Sequence, residues 1–142
     1  YMHALCASPP TSVFASRVGR HSSGITEDQC SLSLTFGDGS IGTIIYTAEG
    51  SSALQKEHFE AHADGMSLVM SDFMETRTYH NGKSALFKTA KRDKGFAQEM
   101  AQFVQAIEQG LPPVIPFEQI DAVTRACLLA VRSLSSGVAY PL

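Results

Sequence analysis

The chain has 142 residues, 44% hydrophobic and 18% charged, with eleven Lys and Arg against fourteen Asp and Glu for a net charge of −3. That length suits one compact domain with its own core, and the composition excludes a disordered tail. No apolar run approaches the ~20 residues a membrane span needs, and the acidic balance disfavours general nucleic-acid binding. Cys6, Cys30 and Cys127 are an odd set at wide, motif-free spacing. They read as buried free thiols of a reducing compartment, the cytoplasm.

Tyr1-Met2-His3-Ala4-Leu5 shows no secretory pattern. It reads as the last turn of a helix begun upstream and stopped by Ser8-Pro9-Pro10, so the chain is expected to be a piece of a longer protein. Ser12 to Gly19 is a short β-rich stretch between Pro10 and the loop at 21–24. From Gln29 to Phe36 the pattern alternates, with Cys30, Leu32, Leu34 and Phe36 on one side and Ser31, Ser33 and Thr35 on the other. Gly37-Asp38-Gly39-Ser40 then turns the chain into a strand from Ile41 to Ala48. Met66 to Phe73 is a strand after the Ala63-Asp64-Gly65 turn. Thr76 to His80 and Lys83 to Thr89 form a hairpin across Asn81-Gly82, because a type I′ turn needs two positive φ angles.

After Lys94-Gly95 the period changes. Phe96, Met100, Phe103, Val104 and Ile107 make a helical stripe that Gly110 and Pro112-Pro113 end. A second helix runs from about Phe117 to Ser136, with Ile120, Val123, Cys127, Val131 and Leu134 on one face, and Tyr140 to Leu142 adds a short extended piece. Strands first and helices last predict an α+β fold. It is an open, mostly antiparallel sheet with two C-terminal helices packed on one face, spanning 1–142 as a single domain.

Gly37 to Gly42 matches G-x-G-x-x-G, but that motif serves a dinucleotide only when a helix opens at its end. Here Thr43 to Thr47 follows, a strand pattern, so the glycines read as a hairpin turn. Ser52 to Asp64 is ambiguous between helix and strand. On a helix His58 and His62 could share a metal; on a strand their backbones lie about 13 Å apart and they cannot. Lys88, Lys91, Arg92 and Lys94 precede a helix N-terminus, where cations are locally unfavourable and an anionic ligand is favoured. Lys91, Arg92 and Lys94 are therefore the candidate anion or substrate-pocket residues. The plainer reading is a solvated basic loop with Asp93 as N-cap. No nucleophilic triad or HExxH motif is present, and the thiols lack flanking residues that would activate them.

The stretches SLSLTFGDGSIGTIIYTAEG, KEHFEAHADGMSLVMSDF and DKGFAQEM…FEQIDAVTRACLLAVRSLSSGVAYPL together resemble the C-terminal domain of the Gfo/Idh/MocA family of NAD(P)-dependent oxidoreductases. The likeness covers nearly the whole chain, including the ending Ala-Val-Arg-Ser-Leu-x-Ser-Gly before a short strand. It implies an upstream Rossmann domain that binds NAD or NADP and carries a catalytic Lys in a Glu-Lys-Pro motif. It also implies a second domain that shapes the pocket for a small-molecule substrate, such as a sugar or sugar derivative, and makes the homo-oligomer contact through its open sheet. Lys56 to Ala63 then aligns with a strand, which removes the helix and the metal.

The family's Asp-x-Gly-x-His and Glu-Lys-Pro motifs are absent, His3 does not occupy the catalytic His position, and Phe96 stands where look-alikes have His. No catalytic, cofactor-binding or metal residue is therefore assigned in this chain. The other class of function open to such a sheet is a non-enzymatic binding or scaffold module.

Overall fold

The computed structural model describes residues 1–18 and 28–142. The expected loop at 21–24 and Gly19, the expected end of the first strand, lie outside them. In chain order the elements are α1 (Met2–Cys6), β1 (Pro10–Arg17), β2 (Gln29–Phe36), β3 (Ile41–Thr47), β4 (His58–Ala63), β5 (Met66–Ser71), β6 (Glu75–His80), β7 (Lys83–Lys88), α2 (Phe96–Gln109), α3 (Phe117–Ser136) and β8 (Tyr140–Pro141). The fold is α+β, all described strand pairings are antiparallel, and two helices precede the short final strand. Two compact units divide the chain: Tyr1–Gly50 with Pro112–Leu142, and Ser51–Leu111. None of the helices among the described residues is long and apolar enough to cross a membrane.

The first unit holds a four-stranded sheet in the order β3-β2-β1-β8. The alternation of β2 has the expected effect: Phe36 is buried and Leu32 and Leu34 half-buried, while Ser33 and Thr35 are exposed. Gly37 to Ser40 form a tight hairpin turn, with Phe36 N–H donating to Ser40 O at 2.9 Å and Gly39 N–H to Phe36 O at 3.1 Å. Asp38 caps this turn by accepting the Ser40 N–H and hydroxyl, which hold its carboxyl below its usual range. Gly42 faces α1; a Cβ there would sit 2.5 Å from Met2 Sδ, so a larger residue would make the Met2 side chain shift.

The core of this unit is Val13, Ala15 and Ala130, joined by half-buried Leu32, Leu34, Leu129, Leu134, Tyr140 and Leu142. The face of α3 that meets β1 differs from the expected one. Ala126, Ala130 and Ser133 are its buried residues, whereas Ile120, Val123, Cys127 and Val131 are exposed. Small residues win because they let the helix axis approach the strand closely, and the large stripe lies roughly 100° further around the cylinder. Cys127 is thus an exposed thiol, and Cys6 and Cys30 are only half-buried, so burial of the three thiols does not hold.

One side chain ties the helix to the strand. Strand β8 pairs with β1 only at Ser12 and Val13. Further along, the Ala15 N–H is satisfied by Ser133 Oγ at 2.8 Å, and the same hydroxyl donates to Val138 O at 2.7 Å. Ser133 therefore takes the place of a strand partner where the sheet has run out.

The second unit is a four-stranded meander, β4-β5-β6-β7. Asp64-Gly65 and Asn81-Gly82 both have two positive φ angles, as type I′ turns require. The register places His58, Glu60, His62, Ser67, Glu75, Arg77, Tyr79 and Lys88 on one face, with Phe59, Ala61, Leu68, Met70 and Phe87 on the other. Helix α2 ends at Gly110, whose N–H returns to Ala106 O and Ile107 O; Leu111 N–H also bonds Ala106 O at 2.9 Å. Of the α2 stripe, Phe96, Met100, Phe103, Val104 and Ile107 are all exposed, and its one buried residue is Ala106.

Candidate functional site

Lys91, Arg92 and Lys94 lie in the segment between β7 and α2, as the sequence places them. That segment is not loose. Thr89 N–H donates to Met74 O at 2.9 Å and Thr89 Oγ1 to Phe73 O at 3.2 Å, fastening it to the turn between β5 and β6. Asp93 is not the N-cap of α2. Its Oδ1 accepts the Gly95 N–H at 2.8 Å, and Gly95 itself, with φ 79°, begins the helix without a side-chain cap. An Asp accepting an N–H two residues on makes a local turn of its own, which competes with capping.

Arg92 Nη2 pairs with Asp72 Oδ2. The Asp72 side chain is 6% exposed and the Arg92 side chain 52%, so a buried carboxylate holds one edge of a guanidinium whose remainder meets solvent. Lys94 Nζ lies 3.7 Å from a Glu57 carboxylate oxygen and 5.6 Å from the centre of the Phe73 ring. Lys91 is exposed and has no ion-pair partner among the described residues. The structure thus gathers Arg92 and Lys94 around one turn through Asp72, Phe73 and Glu57, none of which the sequence reading singled out. Local pattern offers no signal for them, because Asp72 and Arg92 are twenty residues apart in the chain.

The Asp72 turn is itself unusual. Asp72 and Phe73 have φ of 53° and 56°, the left-handed region that the other two hairpins reach with glycine at the second position. Asp72 N–H donates to Glu57 O at 2.7 Å and Met74 N–H to Ser71 O at 3.0 Å. The same region thus combines a strained turn, a buried carboxylate and a half-exposed guanidinium.

On the polar face of the same unit, the Glu60 carboxylate lies between two imidazoles, 3.0 Å from His58 Nε2 and 3.5 Å from His62 Nε2. His62 Nδ1 is 2.9 Å from Ser67 Oγ. Hydrogen bonds first from His58 and then from His62 hold the Glu60 carboxyl below its ordinary value of 4.5. Glu75 is lowered likewise, chiefly by Lys88 at 2.9 Å and then by Arg77. Among the described residues no group of three or more His, Cys, Asp or Glu is arranged to hold a metal ion.

No protein-family model matches the sequence, and no curated protein does. Solved structures do match its fold. Aldose-aldose oxidoreductase from Caulobacter crescentus, complexed with glycerol, superposes with a TM-score of 0.81 at 14% identity, over 99% of this chain and 44% of that one. UDP-N-acetylglucosamine 3-dehydrogenase from Acidithiobacillus ferrooxidans gives 0.79 at 17% identity, over 94% and 43%. An oxidoreductase from Agrobacterium radiobacter, in complex with NAD+, L-tartaric acid and magnesium, gives 0.75 at 9% identity, over 94% and 43%. The chain has the fold of a Gfo/Idh/MocA-type oxidoreductase C-terminal domain. It spans less than half the length of the Gfo/Idh/MocA-type chains it matches.

The segment Gly37 to Gly42 is a hairpin that leads into β3, so it presents no helix N-terminus to a pyrophosphate.

Proposed function

We propose that this chain is the substrate-binding and oligomerisation half of a cytoplasmic NAD(P)-dependent oxidoreductase that acts on a sugar or sugar derivative. The observation that carries the reading is the match of 99% of the chain to only 44% of an aldose-aldose oxidoreductase. On this reading a partner domain holds NAD or NADP and performs hydride transfer, while residues 1–142 act as one substrate-side domain. Lys91, Arg92 and Lys94 border the pocket and attract a negatively charged group of the substrate or cofactor. Their opposition to the α2 N-terminus and their half-solvated positions support that role.

Lys91→Glu is the cleanest test, because Lys91 takes part in no ion pair among the described residues. In the intact enzyme the variant should raise KM several-fold at low salt and much less at high salt, since screening at ~1 M shortens the Debye length to ~3 Å. Equal KM values for variant and parent at both ionic strengths would return the segment to a solvated loop.

We also propose association of two copies through a sheet face. Strand β3 exposes Ile41 and Ile45 on one side and Ile44 and Tyr46 on the other, and large exposed apolar patches mark interaction surfaces. Light scattering at micromolar concentration should give twice the 15.3 kDa monomer mass. A monomer throughout that range would remove the claim.

A further inference from the structure

We infer that Asp72 is a positioning residue that holds Arg92 for a bidentate oxyanion such as a phosphoryl group. The inference rests on the anion-binding reading of Lys91, Arg92 and Lys94 and adds the residue that makes it specific.

Arginine–carboxylate pairs frequently place two carboxylate oxygens against two guanidinium nitrogens. Asp72 does not. Only Oδ2 meets Arg92, through Nη2, while Oδ1 is buried and has no hydrogen-bond partner. A carboxylate left half-satisfied inside the protein is unfavourable, so the arrangement is poorly suited to a purely stabilising role. The carboxylate is also fixed from behind. Its own N–H is bound to Glu57 O, its turn is closed by Met74 N–H, and Lys94 lies over the adjacent Phe73 ring. A guanidinium gripped at one nitrogen by an immobile group keeps a single orientation, and the rest of its planar fork stays available at a half-exposed surface. Lys91 next to it supplies a second, unpaired positive charge.

Simple electrostatics and positioning make opposite predictions. Asp72 is an anion, so removing its charge should tighten anion binding if it only competes for Arg92. If it orients Arg92, removal should weaken binding although the site becomes more positive. The experiment follows the Arg92 Nε–Hε signal of the 142-residue chain by NMR during titration with inorganic pyrophosphate. In the unmodified chain the signal should shift and saturate. Asp72→Asn should lower the pyrophosphate affinity about tenfold, the loss of one well-formed charged contact. Arg92→Lys keeps the charge and a partner for Asp72 but lacks the fork and the Nε–Hε reporter; read through the backbone amide of the adjacent Lys91, it should lower the affinity similarly, and this variant carries the test if Asp72→Asn does not fold. Equal or tighter binding by Asp72→Asn, or unchanged binding by Arg92→Lys, overturns the positioning role and leaves the anion site standing. No shift of Arg92 or Lys91 signals in the unmodified chain overturns both.

Discussion

Replacing Ser133 by Ala is expected to lower the stability of the chain by about 1–3 kcal/mol, the cost of leaving a buried polar group unpaired. Ser133 is completely buried, and its hydroxyl is the partner of the Ala15 N–H at a point where β1 has passed the end of β8. Ala keeps the small volume that lets α3 approach the strand, so the effect isolates the hydrogen bonds. It would leave the buried Ala15 N–H and the part-buried Val138 carbonyl without Ser133. Ser133→Val should cost more, because it loses the same bonds and forces a branched side chain against β1, adding about 1–3 kcal/mol of overpacking. Ser135→Ala, on the exposed side of the same helix, should change stability by less than about 0.5 kcal/mol. Urea unfolding of the three variants checks this. A Ser133→Ala midpoint matching that of Ser135→Ala would show that the bond to β1 is not holding helix and strand together.

The chain by itself should show no heat of binding with NADH or NADPH in the low micromolar range. A dissociation constant of 1 μM corresponds to about 8 kcal/mol, and most of that for a dinucleotide must come from pyrophosphate and ribose contacts. The pyrophosphate is held by a helix N-terminus placed after a glycine turn. In this chain the glycine turn passes into β3, and Gly42 is occupied by its contact with Met2. The other helix starts do not replace it. Helix α3 begins at Pro116 without a side-chain cap or a glycine-rich approach, and α2 follows a segment whose cations are partly engaged with Asp72 and Glu57. Isothermal titration of the 142-residue chain against an intact oxidoreductase is the direct comparison. Low-micromolar binding by the chain alone would overturn both the hairpin argument and the assignment of the cofactor to another domain.

What local sequence determines here is the set of elements and their ends. The stripe from Phe96 to Ile107 and the glycine at Gly110 delimit α2, and the alternation from Cys30 to Phe36 defines β2. Asp64-Gly65 and Asn81-Gly82 set their turns, because positive φ is a property of single residues. The glycine-rich match could be read as a hairpin for the same reason: the residues after it have strand character.

The tertiary structure alone decided which surfaces meet. Periodicity marked the large apolar stripe of α3, yet β1 took the small-residue face, since close approach depends on the partner's shape as well as on hydrophobicity. Nothing near Ser133 indicates that its hydroxyl completes a strand 118 residues away. The basic segment reads locally as free charge before a helix. Folding brings Asp72 and Glu57 to it, and a buried carboxylate can turn an exposed arginine into an oriented one only after distant strands have been placed side by side.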